Sequence, residues 1–329
     1  MRRRLLGLVL LVPAAAWAAP ATEVHYVMGT YLRITVDKAL RPAARGCFQE
    51  ARRLEAVFSR FDPASELVWV NAAAGESVGV SNDFARLLER AEVLGEATGR
   101  TFDVTVGGLT ALWQGAEAPP ARAALAEARA TVGHGRAWLR GNALRLAPGT
   151  RLDFDGIAKG LAVDRCVARL RAAGATRALV SLGESSLYAL GAPAGETHWR
   201  LAVRGTDPEA VVGTLHLRDQ AASISAVFGG AGRQGRRFGH IVDPRTGVPL
   251  EDDAVGVVVA GSATDAEAWS KALLVWGAAG VARIERLGAT GAVHLGPGGV
   301  RRGPGARRTG VVAPLAEPER LAAAAEALR

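Results

Sequence analysis

Apolar and polar positions along the chain change period often and never settle into a regular strand–helix alternation. Residues 24–36 (VHYVMGTYLRITV) alternate around Met28-Gly29-Thr30, reading as one long strand or as a hairpin bent there. Gly29 permits close approach of another backbone. Residues 43–58 follow the helical period and form an amphipathic helix. Ser65 and Ser81 stand as caps ahead of two further helices, the second running to about Gly99. Residues 122–130 read as a short helix and 137–146 as a hairpin turning at Gly141-Asn142. A strand is expected to end at Asp153, followed by a helix from near Gly156 to Ala172. Further strands are expected at 177–182, 199–204, 211–217 and 222–225. The nearly all-Val run 255–260 marks a central strand, and a long helix follows at 263–276. The Gly- and Arg-rich segment 296–310 reads as an exposed mobile loop, and 317–328 as an Ala-rich C-terminal helix. Strands and helices in this irregular order argue for an α+β fold.

One loop stands out chemically. In 237–249, Ile241 and Val242 read as a short strand, Asp243-Pro244 opens a turn, and Gly247 closes it. His240 and Asp243 are thereby held on a rigid loop near the mouth of a strand. Taken alone, the loop also fits a well-made turn with a surface histidine.

Composition narrows the setting. The 329 residues are 49% hydrophobic, enough for a domain with a real core. Arg2, Arg3 and Arg4, the apolar run 5–12 and Ala16-Trp17-Ala18 have the layout of a secretory signal, which divides the chain into 1–19 and a domain at 20–329. The apolar run is too short to span a bilayer, no Cys follows it to carry a lipid, and no span is expected in the mature chain. The mature protein is expected to be exported, to the periplasm or the outer face of the inner membrane. Loss of those three arginines lowers the net charge from +8 to +5. Lysine occurs only at 38, 159 and 271, and the arginines are scattered without interleaved aromatics, so no nucleic-acid partner is expected. Cys47 and Cys166 read as buried free thiols, with a disulfide as the alternative.

Five stretches, taken in order, carry a resemblance. They are Met28-Gly29-Thr30; FSRFDPASEL at 58–67; GRTFDVTVGGL at 99–109 with Trp113; DFDGIAKGLAVD at 153–164; and GHIVDPRTGVP at 239–249. Together they resemble the ApbE family of FAD:protein FMN transferases. The resemblance implies a mixed-sheet α+β fold with FAD in a cleft, contacted near Met28, Phe61, Thr101, Phe102, Asp103, Asp153 and Lys159. It implies Mg²⁺ at the diphosphate, held by the Gly156 carbonyl and by residues of the late helix. It also implies that the His240 loop, with Asp243, activates a Thr or Ser hydroxyl of an acceptor flavoprotein, that FMN is attached there, and that AMP leaves. These residue types suit phosphoryl transfer, in which Lys159 offsets phosphate charge and His240 handles a proton.

The chain departs from the family pattern where metal is expected. The late-helix motif of the form A-D-A-L-S-T-A-L is here Glu267-Ala268-Trp269-Ser270-Lys271-Ala272-Leu273-Leu274. An ammonium thus replaces a hard oxygen ligand and cannot coordinate a cation. Glu267 and Lys271 are expected either as a helix-surface pair or, with Lys271 in the Mg²⁺ position, as a direct partner of the diphosphate. Gly183-Glu184-Ser185-Ser186, Ser225-Ala226-Val227 and Asp155 also differ from the usual motifs. Two other readings remain beside the transferase: a non-catalytic FAD binder of the same fold, and an enzyme that hydrolyses FAD to FMN and AMP.

Overall fold

The structure, a computed structural model, describes residues 20–309 apart from 206, 208–209 and 230–233. The chain opens with a hairpin, β1 (Pro20–Val27) and β2 (Thr30–Asp37), settling the question left by the long alternating stretch. Met28 and Gly29 both take positive φ, as a two-residue hairpin turn demands. The Met28 N–H is tied to Glu55 Oε1 at 2.7 Å, so the turn is anchored to the helix that follows.

Helix α1 (Arg41–Phe58) buries Cys47, Phe48, Leu54 and Phe58 along one stripe. Helices α2 (Glu66–Ala72) and α3 (Asn82–Ala97) flank the short strand β3 (Ser77–Gly79). Both expected caps form: Ser65 Oγ accepts from the Val68 N–H, and Ser81 Oγ from the Phe84 N–H. Next come α4 (Gly107–Trp113), α5 (Arg122–Ala130) and the hairpin β4 (Ala137–Arg140) and β5 (Ala143–Leu146). No strand ends at Asp153. Residues 152–154 have no regular structure and 155–157 form a turn, with a single parallel bridge between Val106 and Arg151 just before them.

The second half supplies α6 (Ala158–Ala172), β6 (Ala178–Leu182), β7 (Ser186–Leu190), β8 (Trp199–Arg204), β9 (Val211–Leu217), β10 (Gln220–Ala226) and β11 (Val255–Ala260). Then follow α7 (Ala263–Trp276), α8 (Gly280–Arg286), β12 (Gly291–Gly296), β13 (Gly299–Arg302) and α9 (Pro304–Thr309). Segment 296–309 is therefore a hairpin and a helix rather than an exposed loop: Gly299 takes the positive φ of the turn, and Glu285 accepts from the Gly305 and Ala306 N–H groups. The expected signal at 1–19 and helix at 317–328 lie outside the described residues.

The eight-stranded sheet runs β1-β2-β6-β7-β10-β11-β12-β13, antiparallel at every pairing. Strand β11 is buried on both faces. Val258 and Ala260 join the core under α1, α6 and α7, whereas Val255, Val257 and Val259 join a second core closed by β8 and β9. Its near-pure Val sequence follows from that double burial. Within the first core Cys47 of α1 is disulfide-bonded to Cys166 of α6, with Cα atoms 4.9 Å apart, which corrects the reading of two free thiols. The two residues are 119 positions apart, and only the packing of α1 on α6 reveals that they meet.

Candidate active site

A cleft of about 1720 Å³ opens along the C-terminal ends of β6 and β10, floored by α6 and α7 and walled by the loops after α1, α3 and β10. Of the residues singled out from sequence, Met28, Phe61, Thr101, Phe102, Asp103, Asp153, Gly156, Lys159, His240 and Lys271 all line it. Asp243 and Glu267 do not.

One wall is built from the 98–110 segment. Phe102 is buried beside Gly156, whose position leaves 3.3 Å between an added Cβ and the ring. Asp103 accepts from the N–H (2.9 Å) and hydroxyl (2.6 Å) of Thr105, and Thr101 donates to the Thr98 carbonyl. Asp103 and Thr101 thus shape the loop while bordering the cavity. Asp153 accepts from the Thr110 hydroxyl at 2.7 Å and from the Asp155 N–H at 2.9 Å. Burial, with the negative charge of Asp155 beside it, raises its pKa above the ordinary carboxylate value.

Across the cavity mouth, Arg60 reaches Asp155 at 2.6 Å and the Gln114 side-chain oxygen at 2.9 Å, and its guanidinium lies 4.4 Å from the centroid of Phe61. Phe61 itself is 66% exposed, a bare ring at the rim. Sequence reasoning passed over Arg60, Gln114 and Thr110. Only Arg60 carried a signal, since it sits inside the FSRFDPASEL stretch.

The floor carries the densest charge. Helix α6 starts without a side-chain cap, and its third residue, Gly160, packs so close to α7 that an added Cβ would lie 2.5 Å from the Ala263 carbonyl oxygen. That contact brings the Gly160 N–H to 3.1 Å from Glu267 Oε2. Glu267 Oε1 faces two ammonium groups, Lys271 at 3.4 Å and Lys159 at 3.9 Å. The Glu267–Lys271 pair forms, but not on the helix surface: Glu267 is 0% exposed. Burial alone would raise the Glu267 carboxyl, yet the charges of Lys271 and Lys159, helped by the Ser186 hydroxyl and the Gly160 N–H, outweigh it and hold the pKa below the usual range. Burial lowers the Lys271 pKa, opposed by Glu267 and reinforced by Lys159.

His240 faces the cavity from the loop after β10. Its ring is open to the cleft's water but ringed by protein. This desolvation, with the charges of Lys271, Lys159 and Arg236, pushes its pKa down to about 4. Its N–H donates to the Val227 carbonyl at 3.0 Å, and the ring lies beside Gly229. Ile241 and Val242 form no strand, only a bridge from Val242 to Pro249. Asp243 is committed to the loop: its carboxylate takes the Arg245 N–H (2.9 Å) and guanidinium (2.8 and 3.0 Å), while its carbonyl takes the Gly247 N–H.

Residues 28–293 match the profile of the ApbE family. The chain belongs to the ApbE family. It is 32% identical over 288 residues to a protein of Treponema pallidum named FAD:protein FMN transferase, covering 78% of each chain. Its fold matches the crystal structure of the ApbE protein of Thermotoga maritima with a TM-score of 0.80 at 26% identity, covering 88% of this chain and 99% of that one. It matches the apo flavinyl transferase ApbE of Pseudomonas stutzeri with a TM-score of 0.78 at 25% identity, covering 88% and 96%.

The Mg²⁺ that the resemblance implies does not fit the residues of this ApbE-family site. Mg²⁺ requires near-octahedral oxygen donors at about 2.0–2.1 Å. Here one Glu267 oxygen accepts from a backbone N–H, and the other, without a hydrogen bond of its own, faces two ammonium groups at ion-pair distance whose charge opposes a cation beside it. Asp155 is held by Arg60, and Asp265, at the start of α7, is paired bidentately with Arg90. Among the described residues no cluster of three or more His, Cys, Asp or Glu is placed to hold a metal.

Proposed function

We propose that this chain is an exported FAD:protein FMN transferase that attaches FMN to a Thr or Ser hydroxyl of an acceptor protein and releases AMP. Family membership makes it a flavin transferase. The observation that carries the finer reading is the placement of His240 over a cavity whose floor presents Lys159 and Lys271. Diphosphate charge and hydroxyl activation would then be handled within one cleft. At about 1720 Å³ the cleft exceeds the roughly 300–1000 Å³ of ordinary ligand sites, which suits a dinucleotide entering together with an acceptor segment.

In this reading the acceptor oxygen attacks the phosphorus of the FMN half. The bond from that phosphorus to the bridging oxygen breaks, and AMP departs with the bridging oxygen. His240, neutral at physiological pH, takes the hydroxyl proton. A base with a pKa near 4 is weak; burial lowers it most, and the charges of Lys271 and Lys159 add to the effect. A bound diphosphate would offset those charges and move the imidazole toward the useful range. The exposed Phe61 offers a ring face to the flat parts of FAD, and the buried Phe102 borders the same cleft. The layout of residues 1–19 supports export, with the periplasm or the outer face of the inner membrane as the site of action.

The test is incubation of purified protein with FAD and an acceptor peptide containing Thr or Ser, followed by in-gel flavin fluorescence and AMP quantification. A fluorescent peptide with equimolar AMP is the expected result. AMP without a labelled peptide means water is the acceptor, and intact FAD on a yellow protein means binding alone.

A further inference from the structure

Lysine is rare in this chain, three residues against 40 Lys and Arg in total, yet two of the three meet at a single carboxylate on the cleft floor. They approach from different helices: Lys159 from the first turn of α6, Lys271 from the middle of α7. Glu267 lies behind them and is sealed from solvent, whereas both ammonium groups border the cavity. The three groups sum to one positive charge, and the side facing the cleft is cationic. Glu267 is pinned in turn by the Gly160 N–H, made possible by the close approach of α6 to α7. Such an arrangement costs a buried charge set and would be poorly justified as packing alone. The neighbouring Asp155 carboxylate, which would compete for the ammonium groups, is drawn off by Arg60 at 2.6 Å.

We infer that Lys271 and Lys159, held by Glu267, form a built-in cation site that takes a diphosphate group without a divalent metal. An ammonium is a compact charge with three donors that can follow phosphate oxygens, whereas a guanidinium is planar and larger. That difference explains why an Arg-rich chain keeps lysine at both positions. The inference rests on the flavin-transferase reading for its natural ligand, though the site itself is defined by the diphosphate group.

The deciding experiment is calorimetric titration of the purified protein with FAD and, separately, with inorganic pyrophosphate, each in EDTA and in millimolar Mg²⁺. Both ligands are expected to bind in EDTA with affinities within about twofold of those in Mg²⁺. Lys271→Met should weaken pyrophosphate at least tenfold in EDTA, and Lys271→Thr should make binding Mg²⁺-dependent. Binding of either ligand at least tenfold tighter with Mg²⁺ in the wild type would overturn the inference. So would a folded Lys271→Met protein that binds pyrophosphate normally. Should the variants fail to fold, the wild-type comparison still decides. Pyrophosphate bound in EDTA with FAD bound in neither condition would remove the flavin reading and leave the lysine site standing.

Discussion

Lys271 Nζ lies 3.4 Å from Glu267 Oε1, one turn apart on α7, and the carboxylate between the two helices has no exposed surface. On a helix exterior such a pair contributes a few tenths of a kcal/mol. Inside, removing one partner strands the other, so the same spacing carries a much larger consequence.

Glu267→Gln leaves two ammonium groups facing one another across a neutral amide. The variant is expected to lose about 3–5 kcal/mol of stability at neutral pH, as breaking a buried pair does. Urea denaturation followed by far-UV circular dichroism measures it, and a midpoint equal to that of the wild type would contradict the buried-triad account.

Replacing the imidazole should separate binding from chemistry. His240→Gln is expected to lower FMN transfer by roughly 10²–10⁴-fold, the usual range for a general base. FAD affinity should stay within about twofold or improve slightly. A parallel loss of affinity and rate would assign His240 to binding instead.

Protonation of His240 also links to stability. Its pKa of about 4 in the folded protein lies below the ordinary 6.5, so between those values the unfolded chain binds a proton that the folded chain refuses. Stability therefore rises as pH increases from about 4 to 6.5, and this contribution is flat above 6.5. Burial is the largest cause of the shift, and the charges of Lys271, Lys159 and Arg236 add to it. Comparing denaturation midpoints of wild type and His240→Gln across that window should show a shallower pH slope in the variant.

The Cys47–Cys166 bond closes a loop between α1 and α6 whose ends are 119 positions apart. Cys47→Ala with Cys166→Ala is expected to cost about 2–5 kcal/mol. Thiol titration of the denatured, oxidised wild type should find no reactive thiol, rising to two after reduction.

Gly160→Ala tests the joint between α6 and α7. The new methyl would sit 2.5 Å from the Ala263 carbonyl oxygen, and relief requires the helices to part. A cost of about 1–3 kcal/mol is expected. Pyrophosphate affinity should fall with it, because Gly160 positions Glu267 and hence both lysines. Loss of stability with unchanged pyrophosphate affinity would uncouple the joint from the site.

Local patterns were enough for most elements: the Ser65 and Ser81 caps, the Met28-Gly29 turn, the amphipathic α1 and the all-Val β11 each announce themselves within a few residues. The ordered motifs likewise placed His240, Lys159, Phe102 and Asp153 among the residues of one site, because loop chemistry is written locally. Tertiary structure decided what depends on which surfaces meet. It paired Cys47 with Cys166 across 119 positions and folded the Gly-rich 296–309 segment onto Glu285. It also gave the Asp243 carboxylate to Arg245 rather than to the cleft. Above all, it buried Glu267 and turned what reads as an i, i+4 surface pair into a shared anchor for two lysines from different helices. Periodicity records which face of a helix is apolar; it does not record that a polar face will be covered by a neighbouring helix at glycine distance.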